Sequence, residues 1–153
     1  MGGAGRSGRF AALNIFFDVD GTILGDDGTL RPHTHSVFER LVSSGHAIYI
    51  WSGAGLRTAE IRAAGLERWV SGVYRKPLFE FIAGLTENRI PIRPDFVVDD
   101  YPVIVEHFGG LRVKHYDGAA APDDELLAVL ALVAAAAGER PVPGDGPAPA
   151  GGA

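Results

Sequence analysis

The sequence predicts an α/β protein built on a parallel sheet of about five strands with helices on both faces. Two patterns predict it. Short, wholly apolar runs such as residues 13–17 (LNIFF) and 47–51 (AIYIW) alternate with stretches whose apolar residues recur at helical spacing. A run without polar alternation suits a strand buried on both faces, and its alternation with helices is the mark of parallel crossovers. A third observation is size. With 153 residues, 46% hydrophobic and 22% charged, the chain suits one domain with a substantial core.

The elements follow in order. Residues 1–9 are rich in Gly, Arg and Ser and are expected to be disordered. The first strand covers residues 13–17. Val37, Phe38, Leu41 and Val42 predict a helix over 34–44, stopped by Gly45. Residues 47–51 form the second strand, and 56–64 a helix stopped by Gly65. The third strand spans 69–74. A helix over 78–88 follows Pro77, a good first-turn residue. The fourth strand begins at 96 and ends at Asp99. A helix over 103–108, a fifth strand over 111–115 and a helix over 123–137 with an acidic start complete the folded part. The folded domain is thus 10–137, and the Pro/Gly-rich tail 138–153 is expected to be disordered.

Composition removes several function classes. There is no cysteine, so disulfides, thiolate catalysis and cysteine-based zinc or iron–sulfur sites are excluded. No apolar run approaches the ~18 residues of a membrane span, and the first residues lack the apolar core of a signal peptide. The net charge of −5 argues against a general nucleic-acid binder. A cytoplasmic enzyme or binding module is expected.

In parallel sheets ligands bind beyond the carboxyl ends of the strands. Here those ends are polar. The first strand runs into Asp18-Val19-Asp20-Gly21-Thr22, the second into Ser52-Gly53, the third into Arg75-Lys76, and the fourth into Asp99-Asp100. Carboxylates suit a hard cation such as Mg²⁺, and Ser and Lys suit a phosphate. Each piece alone has an ordinary reading. The first could be an Asp-rich turn, though a calcium loop fails because its twelfth position is Thr29 rather than Glu. Ser-Gly after a strand is common loop chemistry, and Asp99-Asp100 could cap a helix. Lys76 is one of only two lysines, but a lone Lys is usually a solvated charge. The joint order of the four pieces carries the functional reading.

At these residues the chain resembles the haloacid dehalogenase-like superfamily, mostly phosphatases and phosphotransferases. FFDVDGTIL (16–24) resembles its first motif, IYIWSG (48–53) its second, the Lys of YRKP (74–77) its third, and FVVDD (96–100) its fourth. The resemblance implies a three-layer, Rossmann-like catalytic domain. It implies that Asp18 is the nucleophile, forming an aspartyl-phosphate, and that Asp20 is the general acid and base. Thr22, Ser52, Gly53 and Lys76 would bind the phosphoryl group. Mg²⁺ would be held by Asp18, the Asp20 carbonyl and Asp99, with Asp100 orienting the site. The second acid, Asp20, favours phosphate chemistry over carbon–halogen cleavage. The expected activity is therefore an Mg²⁺-dependent phosphomonoester hydrolase.

Other readings carry less. A receiver-type phospho-signalling module also gathers Asp, Ser or Thr and Lys on such a sheet, but there Lys comes last, whereas Lys76 precedes Asp99-Asp100. A catalytically silent scaffold is disfavoured because every catalytic residue type is present. The GxGxxG letters at 3–8 precede the first strand, the wrong context for a dinucleotide site. At 53–55 a second Gly-rich turn lacks its third Gly, having Thr58. His33 and His35 have no third ligand nearby and read as a solvated helix start. Trp51, Trp69, Tyr74, Phe79 and Phe81 read as core.

Access is the last expectation. Only 31 residues separate Asp20 from Ser52, and 23 separate Ser52 from Lys76. Neither interval has room for a cap domain, so the site is expected to be open. A small phosphorylated metabolite, with a homo-oligomer closing the site, is the expected arrangement. The alternative is a polynucleotide-end or phosphoprotein phosphatase using a local patch of Arg31, Arg57, Arg75 and Arg93.

Overall fold

A computed structural model describes residues 10–119 and 122–139. Residues 1–9 and 140–153 lie outside the described residues, as do the expectations placed on them. Five parallel strands form one sheet: β1 (Asn14–Asp18), β2 (Ala47–Ser52), β3 (Val70–Arg75), β4 (Phe96–Asp99) and β5 (Gly110–Arg112), in the order β3-β2-β1-β4-β5. The helices are α1 (Thr34–Ser43), α2 (Thr58–Ala63), α3 (Phe81–Glu87), α4 (Pro102–Phe108) and α5 (Leu127–Glu139).

Alternating side chains divide the core into two layers. Ile15 and Phe17 of β1, Ile48 and Ile50 of β2 and Phe96 and Val98 of β4 meet Val37, Phe38 and Leu41 of α1, Ile61 of α2 and Val129 and Val133 of α5. Phe16, Trp51 and Val97 face the other way, onto Phe81 and Leu85 of α3 and Ile104 and Val105 of α4. Both faces of the sheet are thus covered, which makes the three-layer, Rossmann-like arrangement. The chain moves outward from β1 through β2 to β3, then returns to place β4 on the other side of β1. That reversal opens a crevice between β1 and β4, the usual ligand site of such sheets.

Several boundaries differ from expectation for physical reasons. Helix α3 begins at Phe81 rather than 78, because Glu80 is left-handed (φ 49°) and Leu78–Glu80 form a loop at the sheet's crest. Phe79 is therefore 76% exposed, not core. Helix α2 starts at Thr58, since Gly55 (φ 121°) keeps the preceding turn open. Strand β5 stops at Arg112, so His115 lies beyond it. Helix α5 starts at Leu127 and continues two residues past 137. Its acidic approach is occupied elsewhere: Asp123 pairs with Arg31, and Glu125 accepts a hydrogen bond from the Lys114 amide.

Arg31 is not a surface cation. It is 1% exposed, with Nε and Nη2 donating to Asp123 at 2.9 and 3.0 Å and Nη1 to the Thr22 carbonyl at 3.1 Å. It ties the turn after β1 to the segment before α5. Removing the guanidinium strands the half-buried Asp123 carboxylate and the buried Thr22 carbonyl, so Arg31→Met is expected to lower unfolding stability by about 1–3 kcal/mol. Urea denaturation at pH 7 checks this. A midpoint close to wild type would show the pair to be dispensable.

Candidate active site

The parallel register brings the polar strand ends to one crest. Asp18 lies beside Trp51, Ser52 beside Arg75, and Phe17 beside Val98. The Lys76 amide donates to the Ser52 carbonyl at 3.0 Å, which sets Lys76 next to β2 as the chain leaves β3.

Asp18 is buried at 4% exposure. Lys76 Nζ donates to Asp18 Oδ1 and to Asp99 Oδ2, each at 3.0 Å. Thr22 Oγ1 donates to Asp18 Oδ2 at 2.9 Å and accepts from the Asp100 amide at 3.1 Å. Asp99 is fully buried and also accepts from the Tyr101 amide at 2.9 Å. Ligand oxygens of Asp18, Asp99 and Asp100 all lie within 4.8 Å of one another.

The electrostatics are unbalanced. Burial, then the nearby Asp99 carboxylate, pushes Asp18 up to about 7, against Lys76 and Thr22. Burial likewise raises Asp99. Burial lowers Lys76, but Asp18 and Asp99 outweigh it and hold the ammonium above its usual value. Three close carboxylates with one cation between them are under-neutralised. An all-oxygen donor set with surplus negative charge suits a hard divalent ion.

Asp20 is arranged differently. Its side chain is 47% exposed and outside the carboxylate cluster. Arg57 forks onto it through Nη2 and, at 3.1 Å, Nε, and Ser52 Oγ donates to it at 3.3 Å. Arg57 also reaches Glu60, so it is committed to the site rather than to a basic patch. Ser52 Oγ accepts from the Ala54 amide at 3.1 Å. Gly53 packs closely: a Cβ there would lie 2.8 Å from Leu78 Cδ2.

Two residues of the site escape the motif reading. Arg57 is one. His115 is the other: Nδ1 lies 2.8 Å from Asp100 Oδ2, and Nε2 lies 3.0 Å from Asp26 Oδ1. Hydrogen bonds to Asp100 and Asp26 raise its pKa. Burial works against the Asp100 carboxylate, but the His115 contact and neighbouring hydrogen bonds hold it low. His115 is the end of the fifth expected strand, so the strand-end rule applied to all five strands would have found it. Gly21 is required beneath it. Its φ is +80°, and a Cβ would lie 2.4 Å from His115 Nδ1 and 2.6 Å from Asp100 Oδ2.

A family model described as haloacid dehalogenase-like hydrolase matches residues 15–69. Over this segment the chain is similar to the haloacid dehalogenase-like hydrolases, which supports membership of that superfamily. The matched segment holds Asp18, Asp20, Thr22, Ser52 and Gly53, while the fold brings Lys76, Asp99 and Asp100 to the same crest. No curated protein matches the sequence. Between Asp20 and Ser52 the chain has a small turn, α1 and β2; between Ser52 and Lys76 it has α2, a 3-10 turn and β3. No helix among the described residues is long and apolar enough to cross a membrane.

Proposed function

We propose that the protein is an Mg²⁺-dependent phosphomonoester hydrolase that acts through a phosphoryl group transferred to Asp18. The observation that carries this is the Lys76 ammonium shared between buried Asp18 and Asp99, with Asp100 alongside. Asp18, Asp99 and Asp100 fit a divalent ion through their side chains, and Asp20 would contribute its backbone carbonyl. Bound there, Mg²⁺ would offset the negative charge shared by the nucleophile and the phosphoryl oxygens.

The chain's own residues supply the rest. Asp18 attacks phosphorus, and the ester oxygen leaves with a proton from Asp20. Water, giving its proton back to Asp20, then attacks the aspartyl-phosphate, releasing phosphate and restoring Asp18. Lys76 neutralises charge beside the nucleophile. Buried Ser52 and the exposed Gly53 turn would hold phosphoryl oxygens. Thr22 departs from its expected place among the phosphate binders. It is fully buried, and its hydroxyl is engaged by Asp18 and Asp100, so it positions those carboxylates.

We place the substrate among small phosphomonoesters. The cationic patch a polynucleotide would need is depleted, because Arg31 is buried and Arg57 is paired with Asp20 and Glu60. Phosphate release across a panel of phosphorylated compounds should be abolished by EDTA and restored by excess Mg²⁺. Metal-independent turnover, or no turnover of any compound, overturns the reading. His115→Ala should raise the Mg²⁺ concentration for half-maximal rate by ~10–100-fold, since it loses the group that orients Asp100. An unchanged Mg²⁺ titration would remove His115 from that role.

A further inference from the structure

An apolar cleft opens beside the catalytic lysine. Its volume is about 370 Å³, and Lys76, Pro77, Leu78, Phe81, Tyr101 and Ile104 line it. The walls come from the two loops that leave β3 and β4, the strands that deliver Lys76 and Asp99, and from the helices that follow them, through Phe81 of α3 and Ile104 of α4. We propose that this cleft is the leaving-group subsite, and that the substrate is a phosphomonoester of an aromatic or bulky apolar alcohol. The inference rests on the phosphatase reading for what binds at Lys76.

Continuity with the site identifies the occupant. The ammonium of Lys76 lies 3.0 Å from the Asp18 carboxylate, while the same side chain forms part of the cleft wall. A phosphoryl group held on that ammonium therefore carries its ester substituent at the cleft's edge. Apart from Lys76, the Tyr101 hydroxyl is the one polar side-chain group among the lining residues. A polyhydroxylated alcohol would lose water there and gain almost no partner, which a binding site punishes heavily. A ring finds Phe81, Tyr101 and the Pro77 face instead. The volume suits one or two fused rings, near the lower end of small-molecule sites.

The loop geometry keeps the cleft open. Left-handed Glu80 prevents Leu78 and Phe79 from joining α3, and Leu78, which lines the cleft, stands 59% exposed. Leu78 also rests on Gly53, so the cleft wall and the Ser52-Gly53 turn are in contact.

The test compares alkyl esters whose alcohols are about equally acidic, so that leaving-group chemistry does not bias the result. Values of kcat/KM for 2-naphthylmethyl phosphate should exceed those for glycerol 3-phosphate and glucose 6-phosphate by roughly 10–100-fold. Calorimetry with Mg²⁺ present should show 2-naphthylmethylphosphonate binding at least ~10-fold more tightly than methylphosphonate. Leu78→Asp, at an exposed position that tolerates polarity, and Tyr101→Ala should each reduce both ratios. A preference for the sugar phosphate, equal binding of the two phosphonates, or ratios untouched by both substitutions overturns the subsite. Tight, Leu78-dependent phosphonate binding without turnover of any ester supports the cleft and refutes the phosphatase reading alone.

Discussion

Asp18→Asn is expected to remove detectable phosphate release and, at the same time, to stabilise the metal-free protein above pH 7. The first effect follows from chemistry, because an amide is no nucleophile toward phosphorus. The second follows from electrostatics. Burial, then Asp99, raises Asp18 from its ordinary value to about 7. Between roughly pH 4 and 7 the folded protein therefore holds a proton that the unfolded chain has released. Stability from this group declines as pH rises through that window and is lowest above it. Asparagine has the same shape, still accepts from Lys76, and carries no charge to oppose Asp99. Differential scanning in EDTA at pH 8 should show the variant melting several degrees above wild type, about 1–2 kcal/mol, with the gap closing near pH 4–5. Adding Mg²⁺ should favour wild type, since a ligand stabilises the form that binds it better. Wild-type turnover by Asp18→Asn, or a lower melting point at pH 8 in EDTA, contradicts the assignment.

The same residue shows what was legible in the sequence. Asp18, Ser52 and Asp99 each follow a run of apolar residues, and a strand buried on both faces must end where polarity resumes; Lys76 instead follows the mixed, half-buried edge strand β3. Their convergence needs only a parallel sheet, because every strand then ends at the same crest. Strand order is another matter. Apolar runs say that both faces are covered, but not that β4 returns beside β1. Helix starts moved where one backbone angle decided them, as at Glu80. Arg31 shows the limit of reading charge: a guanidinium in a sequence looks exposed, yet three hydrogen bonds and the Tyr116 ring, 5.3 Å away, make burial tolerable. Arg57 is not legible as a site residue because its partner Asp20 is 37 residues away and meets it only after folding, whereas His115 stands at an expected strand end and only its contact with Asp100 needs the fold. Thr22 was legible as a member of the motif, but not the direction of its hydroxyl.

Asp20→Asn is expected to slow turnover of an alkyl phosphate by ~10²–10⁴-fold, the usual worth of a positioned acid–base group. That corresponds to about 3–5 kcal/mol of barrier. The Mg²⁺ requirement should not move, because the backbone carbonyl is retained and the side chain stands outside the carboxylate cluster. The size of the defect should depend on the leaving group. An alkoxide needs a proton as it departs, whereas 4-nitrophenolate scarcely does, so formation of the phospho-enzyme from 4-nitrophenyl phosphate should be nearly normal. Its breakdown still needs a base for water. The variant should therefore give a burst of one 4-nitrophenolate per chain followed by slow release, with the phosphoryl group trapped on Asp18. Arg57 sharpens the prediction. Its two-pronged contact and the Ser52 hydroxyl hold the Asp20 carboxylate at the mouth of the site, beside the phosphoryl position. Asparagine keeps an oxygen for one of those donors, so the side chain should stay in place and the loss should be chemical rather than structural. Rapid-quench measurement with both esters decides it. An equal defect on both, with no burst, would mean that Asp20 positions the substrate and moves no proton.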